Sequence, residues 1–204
     1  MEKQGMLNYS TLLVGYGGQG ILTAAQILAK AGMMQGYKVL MAEIHGMAQR
    51  GGRVPCSVRF GDSISSPTIP DGGANLVIAL EFAEVLTSIP YASADTVFVV
   101  SKEMSLPPII SLGLGRYPST EEVLYAIRQT STRVVLVDAS GIAREAGSSL
   151  TASSAMLGAG VVAGKVPVDD KWMKEAMKVL LPKRYVEVNV KAYELGRLDV
   201  LKER

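Results

Sequence analysis

Near the N-terminus lies a short apolar run, Thr11–Val14, of the kind that forms a buried strand. A glycine cluster follows. The stretch Gly18–Gln35 then places apolar or small residues, among them Ile21 and Leu28, on one helical face. A second strand is predicted at Lys38–Ala42. The pattern therefore opens as a strand, a glycine-rich turn, a helix and a strand.

The next segment breaks this alternation. Val54–Phe60 alternates between apolar and polar residues, which indicates a strand with one buried face. Gly61 and Asp62 form a tight-turn dipeptide, after which the chain continues as Ser63–Ile69. The sequence therefore predicts an antiparallel hairpin here instead of a crossover helix.

Alternation of strands and helices resumes after the hairpin. The predicted strands are Asn75–Leu80, Thr96–Val100 and Arg133–Val137, and the predicted helices include Glu81–Ser88 and Ser119–Gln129. Ser119 has the position of a helix cap, and Glu122 is placed to complete a capping box.

Two or three further helices are expected between residues 140 and 180. Thr151–Gly164 is rich in alanine and glycine, so we expect it to pack closely against the sheet. Tyr185–Val190 suits either a strand or a helix that ends at Gly196, and the helix is favoured. Together these elements predict a single α/β domain over residues 1–204, a Rossmann-like three-layer α/β/α fold with a mixed, mostly parallel sheet.

Composition narrows the possible functions. The 204 residues are 48% hydrophobic and 20% charged, with a net charge of +2, as in an ordinary soluble globular protein and without the basic stripe that nucleic-acid binding requires. With one cysteine, Cys56, and one histidine, His45, the chain cannot ligate an iron–sulfur cluster or form a usual zinc site, and no metal site is expected. The first apolar run ends at Gly15, too early for an export signal or membrane span, so we expect a cytoplasmic protein.

The first candidate site is the turn after the first strand, which fits the G-x-G-x-x-G pattern. Glycines at this position allow a tight turn and let a phosphate approach backbone amides at a helix N-terminus. Glu43 lies where a dinucleotide site would place its ribose-binding acid, but the predicted hairpin is foreign to a dinucleotide-binding half. The alternatives are dinucleotide binding, binding of another anion, or a close turn that binds nothing. The candidate ligand-binding residues are Gly15, Gly17, Gly18, Gln19 and Gly20.

The second candidate site is the segment His45–Arg53, which follows the second strand. It combines the only imidazole of the chain with two guanidinium groups on a glycine-rich backbone. Arg50 can hold a carboxylate or phosphate through two hydrogen bonds, and His45 can donate a hydrogen bond or move a proton. His45 and Arg50 are therefore the candidate catalytic residues, and the alternative is a solvated loop.

Three segments together, Val14–Gly20, Ala42–Gly52 and Ser57–Gly61, resemble the gamma-type domain of the 2-oxoacid:ferredoxin oxidoreductases. The block His45–Gly52 is similar to the branch that acts on indolepyruvate. The similarity continues over most of the chain, through Ala79–Glu81, Gly115–Pro118 and Met156–Ala159. It departs from the family at Ala152–Ser154, where many relatives have an asparagine.

This resemblance implies a subunit that is inactive alone. The expected reaction is oxidative decarboxylation of an arylpyruvate on thiamine diphosphate, which gives an acyl-CoA and reduced ferredoxin. Thiamine diphosphate, magnesium and iron–sulfur clusters are expected on a large (alpha) partner subunit, and coenzyme A is a possible ligand of this domain. By position, the two candidate segments would face the ligand and the partner. A stand-alone NAD-dependent dehydrogenase and a non-catalytic scaffold subunit are the competing hypotheses.

Overall fold

A computed structural model describes residues 8–43, 52–105, 110 and 115–202. In these residues one mixed sheet is formed, and its strands lie in the order β2-β3-β1-β4-β5-β6. β1, β4, β5 and β6 are parallel, whereas β3 runs antiparallel to both of its neighbours. The strands are β1 (Asn8–Val14), β2 (Val39–Glu43), β3 (Cys56–Gly61), β4 (Leu76–Ala79), β5 (Val97–Ser101) and β6 (Val134–Val137).

Helical segments cover both faces of this sheet, which confirms the three-layer fold. The helices are α1 (Ile21–Met34), α2 (Thr120–Thr130), α3 (Ala139–Ala146), α4 (Ala152–Ala163), α5 (Asp170–Leu180) and α6 (Lys183–Lys202), and Ala83–Tyr91 and Ser149–Thr151 are 3-10 segments. α1 and α3 to α6 pack on one face, and α2 packs with Ala83–Tyr91 on the other.

The period of two along each strand divides the core between the two faces. In β1, Leu13 points to the side of α1, whereas Leu12 and Val14 point to the opposite side. β4 divides in the same way, with Ile78 on the first side and Val77 on the second. Strands buried on both faces need an almost continuous apolar run, and that run is what made them visible in the sequence.

The predicted hairpin is wrong in its second arm. β3 pairs with β2 and β1, whereas residues 63–69 run irregularly over the sheet and bury Ile64 and Ile69. Pro67 interrupts this return segment, and a proline has no N–H to donate to a ladder. The segment is held instead by Arg59, whose guanidinium donates to the carbonyls of Ser66 (2.8 Å) and Thr68 (2.9 Å).

The C-terminal segment is a helix, as favoured, but it does not end at Gly196. α6 continues to Lys202, and Gly196 lies where α6 touches α4. A Cβ at Gly196 would be 2.0 Å from the carbonyl oxygen of Ala155. This glycine permits a close helix contact instead of stopping the helix. The capping box of α2 is present as predicted, since the Ser119 and Glu122 side chains each accept the other's backbone N–H.

Candidate functional site

The glycine turn lies between β1 and α1, at the edge of the sheet where the parallel strands end. Gln19 closes it, because its Oε1 accepts the N–H of Tyr16 at 2.7 Å. Gly18 (φ +100°) and Gly20 (φ +81°) have left-handed backbone conformations that other residues adopt only with strain. The sequence correctly identified a turn that depends on glycine, and these two positions carry the requirement.

Close packing also restricts this turn. A Cβ at Gly15 would lie 2.6 Å from Oε1 of Gln19, and a Cβ at Gly20 would lie 2.6 Å from Oγ of Ser153. Ser153 belongs to Ala152–Ser154, the segment that departs from the family, and its small side chain fits beside Gly20. The serine next to it, Ser154, donates to Oδ1 of Asn189 at 2.7 Å and joins α4 to α6.

A cavity of about 260 Å³ lies beside the turn and the first turn of α1. α1 has no acidic residue in its first turn and no side-chain cap, so its N-terminal amides keep their partial positive charge. The hydroxyl of Ser140 donates to Glu103 on the far side of the cavity. Residues 18–20 also line it, together with Leu80, Ser101, Ala139, Ser149, Leu150, Ala152 and Met156.

The structure brings the two candidate segments of the sequence together. The N–H of Gly17 donates to the carbonyl of Gly52 (2.9 Å), and that of Val54 donates to the carbonyl of Gly15 (3.0 Å). Between these bonds, Tyr16 and Arg53 pair as an antiparallel bridge. The amide of Gly17 is therefore already bonded to the protein. His45 and Arg50 lie outside the described residues.

A buried carboxylate, Glu81, follows β4 next to this bridge. It has no solvent exposure, and it accepts hydrogen bonds from the backbone N–H groups of Glu84 (2.9 Å) and Ser105 (3.1 Å) and from the hydroxyl of Tyr117. Burial and the contact with Glu81 raise the pKa of Tyr117. Glu81 and Tyr117 belong to two of the segments that carried the family resemblance, and this hydrogen bond connects them.

A second buried acid, Glu84, connects to the bridge itself. Its side chain is 3% exposed, and its Oε1 accepts Nε of Arg53 at 3.0 Å. The Tyr16 hydroxyl donates to the same carboxylate. Burial raises the pKa of Glu84, although Tyr16 and Arg53 both oppose that shift. Burial and the hydrogen bond to Glu84 also raise the pKa of Tyr16, which therefore stays protonated at neutral pH.

Neither acid was singled out as a site residue from the sequence. In the sequence, Glu81 is one residue of a segment that matches the family, and Glu84 lies inside a predicted helix. A charged residue in an amphipathic stretch normally lies on the solvated face, so composition alone gave no signal. The burial arises from partners at sequence positions 16, 53 and 117.

Glu43 is not placed as a ribose-binding acid requires. It ends β2 opposite Cys56 of β3, and β3 separates β2 from β1. Two strand spacings, roughly 10 Å, therefore lie between the end of β2 and the end of β1. Burial, with a smaller effect of Glu43, raises the pKa of the Cys56 thiol to about 12, so the chain's only thiol is protonated.

A second cavity, of about 250 Å³, lies on the sheet face opposite α1. Its floor is a row across three strands, formed by Ala42, Ser57 and Leu12, and its walls include Ile69 and Tyr91. Gly15, Arg53 and Glu84 line the end of the cavity nearest the glycine turn.

In the residues that the structure describes, no group of three or more histidine, cysteine, aspartate or glutamate side chains is arranged to hold a metal ion. No helix there has the length and apolar character needed to cross a membrane.

The family model for pyruvate ferredoxin/flavodoxin oxidoreductase matches residues 10–198, so the chain belongs to this family. Within the family it is a homologue of the IorB subunits. It is 37% identical to indolepyruvate oxidoreductase subunit IorB of Archaeoglobus fulgidus, over 93% of this chain and 94% of that protein. IorB of Pyrococcus horikoshii is 36% identical, over 94% and 95% of the two chains. The resemblance identified in the sequence is confirmed.

Solved structures confirm the fold. The gamma subunit of a keto/oxoacid ferredoxin oxidoreductase from Geobacter sulfurreducens aligns with a TM-score of 0.68 at 22% identity, over 95% of this chain and 99% of that chain. A 2-oxoglutarate:ferredoxin oxidoreductase from Magnetococcus marinus, with 2-oxoglutarate, coenzyme A and succinyl-CoA bound, aligns with a TM-score of 0.74 at 16% identity. That match covers 96% of this chain but 31% of the longer one, so the same fold also occurs as part of a larger polypeptide.

Proposed function

We propose that this chain is the small subunit of an enzyme that oxidatively decarboxylates indolepyruvate and related aromatic 2-oxo acids to acyl-CoA and CO2, with ferredoxin as electron acceptor. The observation that carries the proposal is the 37% identity to an IorB subunit along almost the entire length of both proteins. Relatives named for pyruvate and ketoisovalerate (30%), for ketoisovalerate (26%) and for 2-oxoglutarate (25%) are less similar.

The single cysteine supports a division of labour between two subunits. One thiol cannot bind an iron–sulfur cluster, and burial keeps this one protonated. We therefore place the clusters on a large subunit, and the family resemblance implies that magnesium and thiamine diphosphate are bound there as well. When bound there, thiamine diphosphate supplies the electron sink for decarboxylation. The residues of the small subunit bind and orient ligands and exclude water at the shared site.

We propose that the cavity beside Gly18 and Gly20 receives an anionic group of coenzyme A. The left-handed glycines bring the backbone close to a ligand, and the uncapped N-terminus of α1 favours negative charge. Coenzyme A is present in the solved 2-oxoglutarate enzyme named above, which supports this choice of ligand. Gly17 contributes to the shape of the turn, since its amide already bonds to Gly52.

His45 and Arg50 complete the proposal. Arg50 would hold an anion, which is a phosphate of coenzyme A, the carboxylate of the 2-oxo acid, or an acidic side chain of the large subunit. His45 would donate a hydrogen bond or transfer a proton close to neutral pH. Both residues belong to the segment His45–Arg53, in which the carbonyl of Gly52 accepts the N–H of Gly17 in the glycine turn.

The test is reconstitution. The chain is purified alone and together with its large subunit, and indolepyruvate-dependent reduction of a viologen dye is measured with and without coenzyme A. Turnover is expected only from the assembled enzyme. Turnover by the isolated chain, or an assembled enzyme that oxidises no aromatic 2-oxo acid, would contradict the proposal. Calorimetry with NAD, FAD and coenzyme A separates it from a dehydrogenase, for which NAD or FAD should bind.

A further inference from the structure

The cavity above Ala42, Ser57 and Leu12 lies where the outer helical layer ends. On that face the segment Ala83–Tyr91 lies against β1 and β4, whereas β2 and β3 contact α1 on the opposite face. The part of β2 and β3 nearest the glycine turn therefore has a concave apolar surface beside it. Gly15 lines one end, so the cavity reaches the edge of the sheet that carries the candidate site.

The size and lining of this cavity suit a single apolar group. Its volume of about 250 Å³ is below the roughly 300–1,000 Å³ of pockets that hold drug-sized ligands. Its apolar lining includes Leu12, Val14, Ile69 and Tyr91. One aromatic ring system fits within such a space.

Arg53 gives the cavity a polar, cationic end. Its Nε is bonded to the buried Glu84, yet its side chain is 68% exposed. As far as the described residues show, Glu84 is the only hydrogen-bond partner of this guanidinium, which has five N–H donors. Glu84 therefore fixes the orientation of the group, and the terminal nitrogens can receive a carboxylate through two parallel hydrogen bonds.

We propose that this cavity is the pocket for the side chain of the 2-oxo acid substrate, with Arg53 binding the substrate's carboxylate. The proposal rests on the function proposed above, because it assigns part of that enzyme's substrate site to the small subunit. The small subunit then helps to determine which 2-oxo acid is used. Glu84 and Tyr16 act as positioning residues, since they hold Arg53 at the end of the pocket.

The side chain of Ala42 offers a direct test. Its neighbours Val39 and Met41 pack on the core beneath α1, whereas Ala42 faces the cavity. Ala42→Leu adds a branched group to the cavity floor without entering the buried core. In the assembled enzyme, the ratio of kcat/KM for indolepyruvate to that for 2-oxobutanoate should fall about tenfold or more, since hydrophobic pockets discriminate by about 10–200-fold per methylene.

Ala94→Leu is the matched control. Ala94 is exposed and precedes β5, at the opposite edge of the sheet, so the same added bulk should leave the ratio unchanged. Arg53→Gln should instead raise KM for both acids together, because both have the carboxylate. If Ala42→Leu does not fold, Thr87→Leu on another wall of the cavity replaces it.

The outcomes separate the two proposals. A wild-type assembly that oxidises no 2-oxo acid would refute the proposed function and this pocket with it. An active assembly in which Ala42→Leu lowers both kcat/KM values equally would refute the pocket alone. If Ala42→Leu no longer binds the large subunit in calorimetry, the substrate pocket would also be refuted, because the cavity would then hold a side chain of the partner.

Discussion

The contact between α4 and α6 allows a stability prediction that depends on two glycines of one helix. A Cβ at Gly158 would lie 2.0 Å from the carbonyl oxygen of Tyr193 and 2.9 Å from its carbonyl carbon. A Cβ at Gly160 would lie 2.5 Å from Cδ1 of Ile78, at the end of a flexible side chain. Both positions lie within α4, so replacing either glycine by alanine stabilises the helix by about 1 kcal/mol through its higher helix propensity.

The expected costs differ because backbone atoms cannot rotate away from a new methyl group. For Gly158→Ala, α4 and α6 must separate by about 1 Å, and a gap of that size loses about a quarter to a half of each dispersion contact across the interface. Overpacking usually costs about 1–3 kcal/mol and sometimes more. Because the new methyl group would meet a backbone oxygen at 2.0 Å, we expect a gross cost above the usual range, about 3–4 kcal/mol. After the helix-propensity gain of about 1 kcal/mol, Gly158→Ala should lower the free energy of unfolding by about 2–3 kcal/mol. Gly160→Ala should change it by less than about 1 kcal/mol.

The assay is urea unfolding of both variants and the parent, followed by circular dichroism. For a chain of this size, about 2–3 kcal/mol corresponds to a decrease in Tm of roughly 4–12 °C, so thermal unfolding provides an independent check. Equal stabilities of the two variants, or a lower stability of Gly160→Ala, would refute the argument that backbone contact determines the cost.

Three further predictions concern the capping box, the buried acid and the candidate catalytic residue. Ser119→Ala should lower the free energy of unfolding by about 1 kcal/mol, because the Glu122 N–H loses its acceptor; unchanged urea midpoints would contradict this. Because burial raises the pKa of Glu84, ionisation of this group opposes folding as pH rises above the ordinary carboxyl value of about 4.3. The stability of Glu84→Gln relative to the parent should therefore increase with pH from about 4 upward, and a constant difference in unfolding free energy between pH 4 and 8 would count against it. Arg50→Ala should reduce kcat/KM of the assembled enzyme by roughly ten- to a hundredfold, and Arg50→Lys should reduce it less; separate KM values for 2-oxo acid and coenzyme A show which anion is bound.

Local patterns predicted the elements of this fold well. Buried strands such as β4 have continuous apolar runs, and the start of α2 has its capping box within four residues. The pairing partner of β3 could not be found in this way. Turn chemistry at Gly61 suggested a hairpin, but β3 pairs with strands that begin at residues 8 and 39. Pro67 was the available signal against a return strand, because proline cannot donate to the ladder.

Those parts of the candidate site that consist of neighbouring residues in the chain could be predicted from the sequence. The glycine turn is encoded by consecutive residues whose backbone conformations require glycine, so its pattern is visible in the sequence. The acids Glu81 and Glu84 are different, because each is stabilised by tyrosines, an arginine or amides that are distant in sequence. Sequence proximity does not show such partners, and an unpartnered carboxylate is expected to be solvated.

The antiparallel direction of β3 explains why the glycine turn and the residues just before β3 lie together at the candidate site. Cys56, its first residue, pairs with Leu13 near the end of β1, so the residues before β3 arrive at the edge where β1 ends. A parallel β3 would begin at the opposite edge, and Arg53 would then lie about one strand length away, roughly 17–20 Å. The antiparallel strand thus brings Gly52 to the amide of Gly17 and Arg53 to Glu84. The Gly17 amide, which a dinucleotide would otherwise use, is thereby bonded to a second segment of the chain, and we propose that the two segments bind the ligand together.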